Sequence, residues 1–141
     1  MRKLTLCLFP IFMASACWAE KRAVTPKGSP SGMPFSQGIL SDGTLYVSGM
    51  VGRDATGKPP AQFEDEVKAA LDSIGVVLKE AGMTFDDVVA VQVYLTDMEL
   101  FPKLNAVYTT YFKEPRPART TVGVAKLVGT FHIEITVTAR K

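Results

Sequence analysis

The sequence has 141 residues, 47% hydrophobic and 21% charged, with 16 basic against 14 acidic side chains and a formal charge of +2. That composition excludes a disordered, collagen-like or multi-pass membrane chain and supports one globular domain. Nucleic-acid binding would need a basic stripe, and none is visible, so no nucleic-acid partner is expected.

Residues 1–19 read as a secretory signal peptide. Arg2 and Lys3 precede an apolar run over 4–14, and Ser15, Ala16 and Ala19 supply small residues for cleavage. The run falls short of the roughly 20 apolar residues a spanning helix needs, and Pro10 interrupts it, so no stable membrane span is expected. Cleavage is placed after Ala19. A lipid-bearing Cys17 ranks second, because Ala14 stands where an aliphatic residue is usual. A periplasmic or secreted location follows. Loss of the leader takes away both cysteines, the single tryptophan and Arg2 and Lys3 from the 16 basic residues, leaving zero formal charge against the 14 acids. A disulfide-free core of roughly 120 residues can hold such a domain.

Residues 20–34, with Pro26, Gly28, Pro30, Gly32 and Pro34, read as an irregular N-terminal arm, and 35–141 as the domain. Strand signals at 35–40 and 44–48 flank the turn Ser41-Asp42-Gly43, predicting a hairpin, and a glycine- and proline-rich link spans 49–60. Over 62–81, Phe63, Val67, Ala70, Leu71, Ile74, Val77 and Leu78 recur on one helical face, while Glu64, Asp65 and Glu66 fall off it. Gly82 supplies the stop. Residues 88–95 are apolar on both faces apart from Gln92, the pattern of a strand in the middle of a sheet. Asp97 caps a second helix running to about 112, with Leu100, Phe101, Leu104, Tyr108 and Tyr111 as its stripe. Two final strands are expected at 120–125 and 131–139, joined as a hairpin by 126–130.

The predicted order is β-β-α-β-α-β-β, an α+β fold with two helices on one face of a mixed sheet. The opposite face would keep apolar residues from 88–95, which favours an oligomer over a monomer.

The side-chain inventory closes several routes. His132 is the only histidine, so neither a tetrahedral zinc site nor a Ser-His-Asp triad has its ligands. No phosphate loop or dinucleotide fingerprint occurs. Metal and cofactor are therefore not expected. Asp86 and Asp87 read as a solvated turn. Arg119, after Pro115 and Pro117, is by periodicity alone a solvated arginine on a stiff approach. The other reading is a guanidinium fork for a carboxylate or phosphate. Glu134, on the strand expected to pair with that of Arg119, could then hold a water.

The run Pro117-Ala118-Arg119-Thr120-Thr121-Val122, followed by Ile133-Glu134-Ile135, resembles the C-terminal signature of the Rid family, the YjgF-like imine deaminases. Blocks at 34–38, 45–49 and 104–112 are similar to its other motifs. The resemblance implies a chorismate-mutase-like subunit, a homotrimer with pockets between subunits, and no cofactor. It implies hydrolysis of 2-imino or 2-enamino acids (2-aminoacrylate, 2-iminopropanoate, 2-iminobutanoate) to 2-oxo acids and ammonia. Arg119 would grip the substrate carboxylate and Glu134 would position the water. Phe35, Ser48, Gly49, Asn105 and Thr121 would line the pocket. Phe35 replaces a tyrosine common in the deaminase branch, and Met50 a frequent glutamine. A non-catalytic trimer that binds small carboxylates is the alternative.

Overall fold

A computed structural model describes residues 20–141. The expected leader, with Cys17, lies outside the described residues. Strands β1 (Arg22–Val24), β2 (Gly38–Ser41), β3 (Thr44–Val51), β4 (Val88–Leu95), β5 (Ala118–Gly123) and β6 (Ile133–Arg140) form one sheet in the order β1-β2-β3-β6-β4-β5. Helices α1 (Phe63–Glu80) and α2 (Phe101–Tyr111) pack on one another and cover the face from which Val91, Val93, Leu95, Ile133, Ile135 and Val137 project.

The α1 stripe is buried as its spacing predicts, from Phe63 through Leu78. Chain reversal after α1 uses Gly82 at φ 72°, a left-handed conformation that glycine adopts without penalty. The Asp97 carboxylate accepts from the Glu99 amide at 2.9 Å, capping a single 3-10 turn (Met98–Leu100) that leads into α2. Pro102 falls in the first turn of α2, where its missing N–H costs nothing.

Three expectations need correction. The arm at 20–34 is not wholly irregular, because Arg22–Val24 pairs antiparallel with β2 and Val24 is buried. A three-residue strand is too short to show a period. The hairpin's second strand also runs on past 48 to Val51, with a bulge between Val47 and Met50.

β5 and β6 are not a hairpin. β5 runs parallel to β4, joined to it through α2, and β6 inserts antiparallel between β3 and β4. A helix is the usual crossover between parallel neighbours, and the alternation of Ile133, Ile135, Val137 and Ala139 suits an interior strand. β5, with no large buried side chain, takes the edge.

Among the described residues, no helix lies over the sheet's other face. Tyr46, Val89 and Val122 lie exposed there, among Ser48, Gln92, Thr136 and Thr138.

Candidate active site

Register fixes which way each candidate side chain points. Arg119 and Thr121 pair with Val91 and Val93, both buried beneath the helices, so they face α2. Glu134 pairs with Tyr94 and Val51 and alternates with buried Ile133 and Ile135, so it faces the open side. β4 lies between their strands. Within one chain, Arg119 and Glu134 therefore sit on opposite faces, and the expected pairing of their strands does not occur.

The arginine is held by one face of α2. Phe101, Asn105 and Tyr108 follow each other at helical spacing and project together toward β5. Arg119 Nη2 donates to Asn105 Oδ1 at 2.8 Å. Its Cζ stands 4.5 Å from the Tyr108 ring centre and 5.3 Å from that of Phe101, within cation–π range. A cavity of about 310 Å³ is lined by Asn105, Tyr108, Thr109, Arg116, Pro117 and Arg119. Arg116 is paired with Glu114, whereas Asn105 is a neutral partner for Arg119, whose positive charge it leaves in place. A guanidinium with an edge left free in such a cavity suits a carboxylate or another planar anion.

Two hydroxyls beside it, Tyr108 Oη and Thr121 Oγ1, are buried with no hydrogen-bond partner among the described residues. Burial raises the pKa of the Tyr108 phenol, against the lowering influence of Arg119 and Arg116.

The second group gathers around the β3 bulge. A Cβ at Gly49 would lie 1.7 Å from Glu134 Oε1, so the carboxylate occupies space that only glycine leaves open. Ser48 Oγ donates to the Ser36 carbonyl at 2.7 Å and Ser48 N to the Gln37 carbonyl at 2.9 Å, tying β3 to the segment that carries Phe35. Phe35 is 55% exposed. With Gly49 and Met50 it borders a cavity of about 510 Å³. The seven candidates thus separate into Arg119, Asn105 and Thr121 on one side and Glu134, Ser48, Gly49 and Phe35 on the other.

Sequence reasoning missed two features. Tyr108 and Phe101 read only as a core stripe, yet their rings carry the Arg119 cation. Glu66 read as a solvated acid, yet it is fully buried. It accepts from His132 N at 2.7 Å and Ile133 N at 3.3 Å and contacts His132 Nδ1 at 2.8 Å. Its place three residues after Phe63 and four before Ala70 was the available signal. Among the described residues, no group of three or more His, Cys, Asp or Glu side chains is arranged to hold a metal ion. No helix among them is long and apolar enough to cross a membrane.

Comparison with known proteins agrees with this architecture. The family model described as Endoribonuclease L-PSP matches residues 27–141. The chain is 37% identical over 120 residues to a RutC family protein of Aquifex aeolicus, covering 83% of this chain and 96% of that one. It is 36% identical over 118 residues to the 2-iminobutanoate/2-iminopropanoate deaminase of Mus musculus, covering 82% and 87% respectively. Among solved structures, YyfA of Yersinia pestis, a Rid protein of unknown function, superposes with a TM-score of 0.80 at 33% identity, covering 86% of this chain and all of that one. The YjgF gene product of E. coli superposes with a TM-score of 0.78 at 28% identity, covering 85% and 98%.

The six-stranded mixed sheet with its two helices is thus that of the L-PSP class of α+β proteins. The chain belongs to the Rid, or YjgF-like, family.

Proposed function

We propose that this protein hydrolyses reactive 2-imino and 2-enamino acids to 2-oxo acids and ammonia, in clefts that neighbouring copies of a homotrimer build together. One observation carries the reading. Arg119 is fixed for an anion on one face of the sheet, and Glu134 is held against Gly49 on the other. Neither half contains the other's chemistry, so a second copy must supply the complement. Relatives named as deaminases, at 36–42% identity, support the same reaction class.

In the proposed reaction, Arg119 binds the substrate carboxylate through two N–H donors while Asn105 holds the guanidinium in its plane. That fixes C2 in the cleft. Glu134 accepts a hydrogen bond from water and directs its oxygen at the C=N carbon. The C–O bond forms as the C=N π bond opens, and the proton the water gives up passes by way of the Glu134 carboxylate to the imine nitrogen. The carbinolamine's hydroxyl proton then passes to its amine, the C–N bond breaks to release ammonia, and the C=O bond forms. Imines hydrolyse unaided, and each tenfold gain in rate needs only about 1.4 kcal/mol.

The test adds purified protein to 2-iminopropanoate made in situ by an amino-acid oxidase and follows pyruvate. Acceleration is expected, with Arg119→Ala lowering kcat/KM by about 100-fold or more, since charge-assisted hydrogen bonds contribute about 1.5–3 kcal/mol each. Phe35, which lacks a phenol hydroxyl, favours a second reading, a trimer that binds small carboxylates without turnover. Unchanged kinetics with saturable carboxylate binding would establish that reading. Light scattering that finds a monomer would remove the shared cleft. We propose a periplasmic or secreted location, which cell fractionation checks.

A further inference from the structure

We infer that the protein carries a second binding site, where α2 ends, for a free amino acid with a large apolar side chain. The site is a cavity of about 350 Å³, a size suited to a small organic ligand, and Arg119 does not border it. Phe85 and Phe112 stand edge to face in its wall with ring centres 5.3 Å apart, and Val88, Pro115 and Pro117 extend the apolar surface. Pro117 also borders the Arg119 cavity, so the two sites are neighbours with separate chemistry.

Charge selects the ligand. Asp86, Lys113 and Glu114 border this apolar wall, all of them exposed at its rim. Glu114 is engaged by Arg116, whose guanidinium and backbone amide both donate to its carboxylate. The ion pairs among the described residues join Lys103 to Glu64, Arg116 to Glu114 and His132 to Glu66, and include neither Asp86 nor Lys113. A carboxylate and an ammonium are thus left over beside one hydrophobic cavity. A matching ligand needs an ammonium for Asp86, a carboxylate for Lys113 and hydrocarbon for the rings. A zwitterionic amino acid brings all of these, whereas a simple amine or organic acid lacks one charge.

The neighbouring acids at 86 and 87 divide their work. Asp87 turns back to accept from Thr84 N at 2.8 Å, while Thr84 Oγ1 accepts from Asp86 N at 3.3 Å, and this capping box fixes the 3-10 turn Phe85–Asp87. One held turn therefore places both the Phe85 ring and the Asp86 charge at the cavity.

Calorimetric titration of the purified protein with phenylalanine, glycine, 2-phenylethylamine and 3-phenylpropanoate tests this directly. Phenylalanine is expected to bind saturably, and glycine about 10-fold more weakly or worse, as befits an apolar pocket left unfilled. The amine and the acid should each bind about 5-fold more weakly or worse, the scale of one exposed ion pair or charged hydrogen bond. Asp86→Asn and Lys113→Gln, both at exposed positions, should each weaken phenylalanine binding by about 5-fold or more on the same scale. Arg119→Ala should leave it unchanged, which separates this site from the anion site. No saturable binding of phenylalanine, equal binding of phenylalanine and 2-phenylethylamine, indifference to Asp86→Asn, or loss of binding in Arg119→Ala would each overturn the assignment, and none of them bears on imine hydrolysis.

Discussion

Around Arg119 the chain adds material: two aromatic rings and an amide close on a single guanidinium. Around Glu134 it removes material, leaving a glycine where any other residue would push the carboxylate aside. The first arrangement pins a long side chain whose rotamer freedom would otherwise be lost on binding. The second keeps a short side chain in place by denying a neighbour its Cβ. In the proposed reaction, a cation that grips an anion profits from packing, and a carboxylate that holds water profits from space.

Gly49→Ala tests the second half most severely. Its Cβ would fall 1.7 Å from Glu134 Oε1, so the carboxylate must leave its position. Turnover of imine should fall by about 100-fold or more while substrate binding through Arg119 persists, a loss in kcat with KM little changed. Retained kcat would show that Glu134 does not hold the attacking water from that position.

Glu66 supports the same half from beneath, at the start of the strand that carries Glu134. Glu66→Ala should lower unfolding free energy by about 2–4 kcal/mol, because the His132 and Ile133 amides lose their acceptor. Glu66→Gln, which keeps an acceptor oxygen, should recover part of it. Denaturant unfolding distinguishes the two variants.

The rings that support Arg119 should give milder effects than loss of the arginine itself. Tyr108→Leu removes a ring under the guanidinium and should raise KM severalfold, in line with about 1 kcal/mol for a cation–π contact. Tyr108→Phe keeps the ring and deletes a hydroxyl that has no partner among the described residues, so stability should hold or rise slightly.

The smallest effect is alkaline. Tyr108 has its pKa raised by burial, and Tyr111 by burial and then by its hydrogen bond to Asp72. Both phenols stay protonated above the usual tyrosine value of about 10. Folded pKa values above unfolded ones mean stability that is complete below pH 10 and declines as pH rises beyond it. Phenolate absorbance followed through an alkaline titration should show these two ionising late.

Much of this was legible in the sequence, for physical reasons that differ by element. α1 has a long apolar period and a glycine stop, and 88–95 is a continuous β-forming run; both stand where the pattern places them. Strand partners were harder. The residues of β5 and β6 are separated by a loop short enough for a hairpin, and only the tertiary arrangement sends β6 between β3 and β4. The candidate residues could be named from motif, yet their faces depend on that topology, so the division of Arg119 from Glu134 was invisible. Glu66 escaped because an acid in a helix's first turn usually meets solvent.

The placement of β6 has a consequence for how the protein comes into being. Within the sheet, β1 to β3 meet the β4–β5 pair across this one strand, and it is built from residues 133–140. A chain without them holds two sheet fragments with raw edges toward each other, so closure of the sheet waits until residues 133–140 are present. Trimming the last ten residues should therefore cost the entire fold and not merely a fringe.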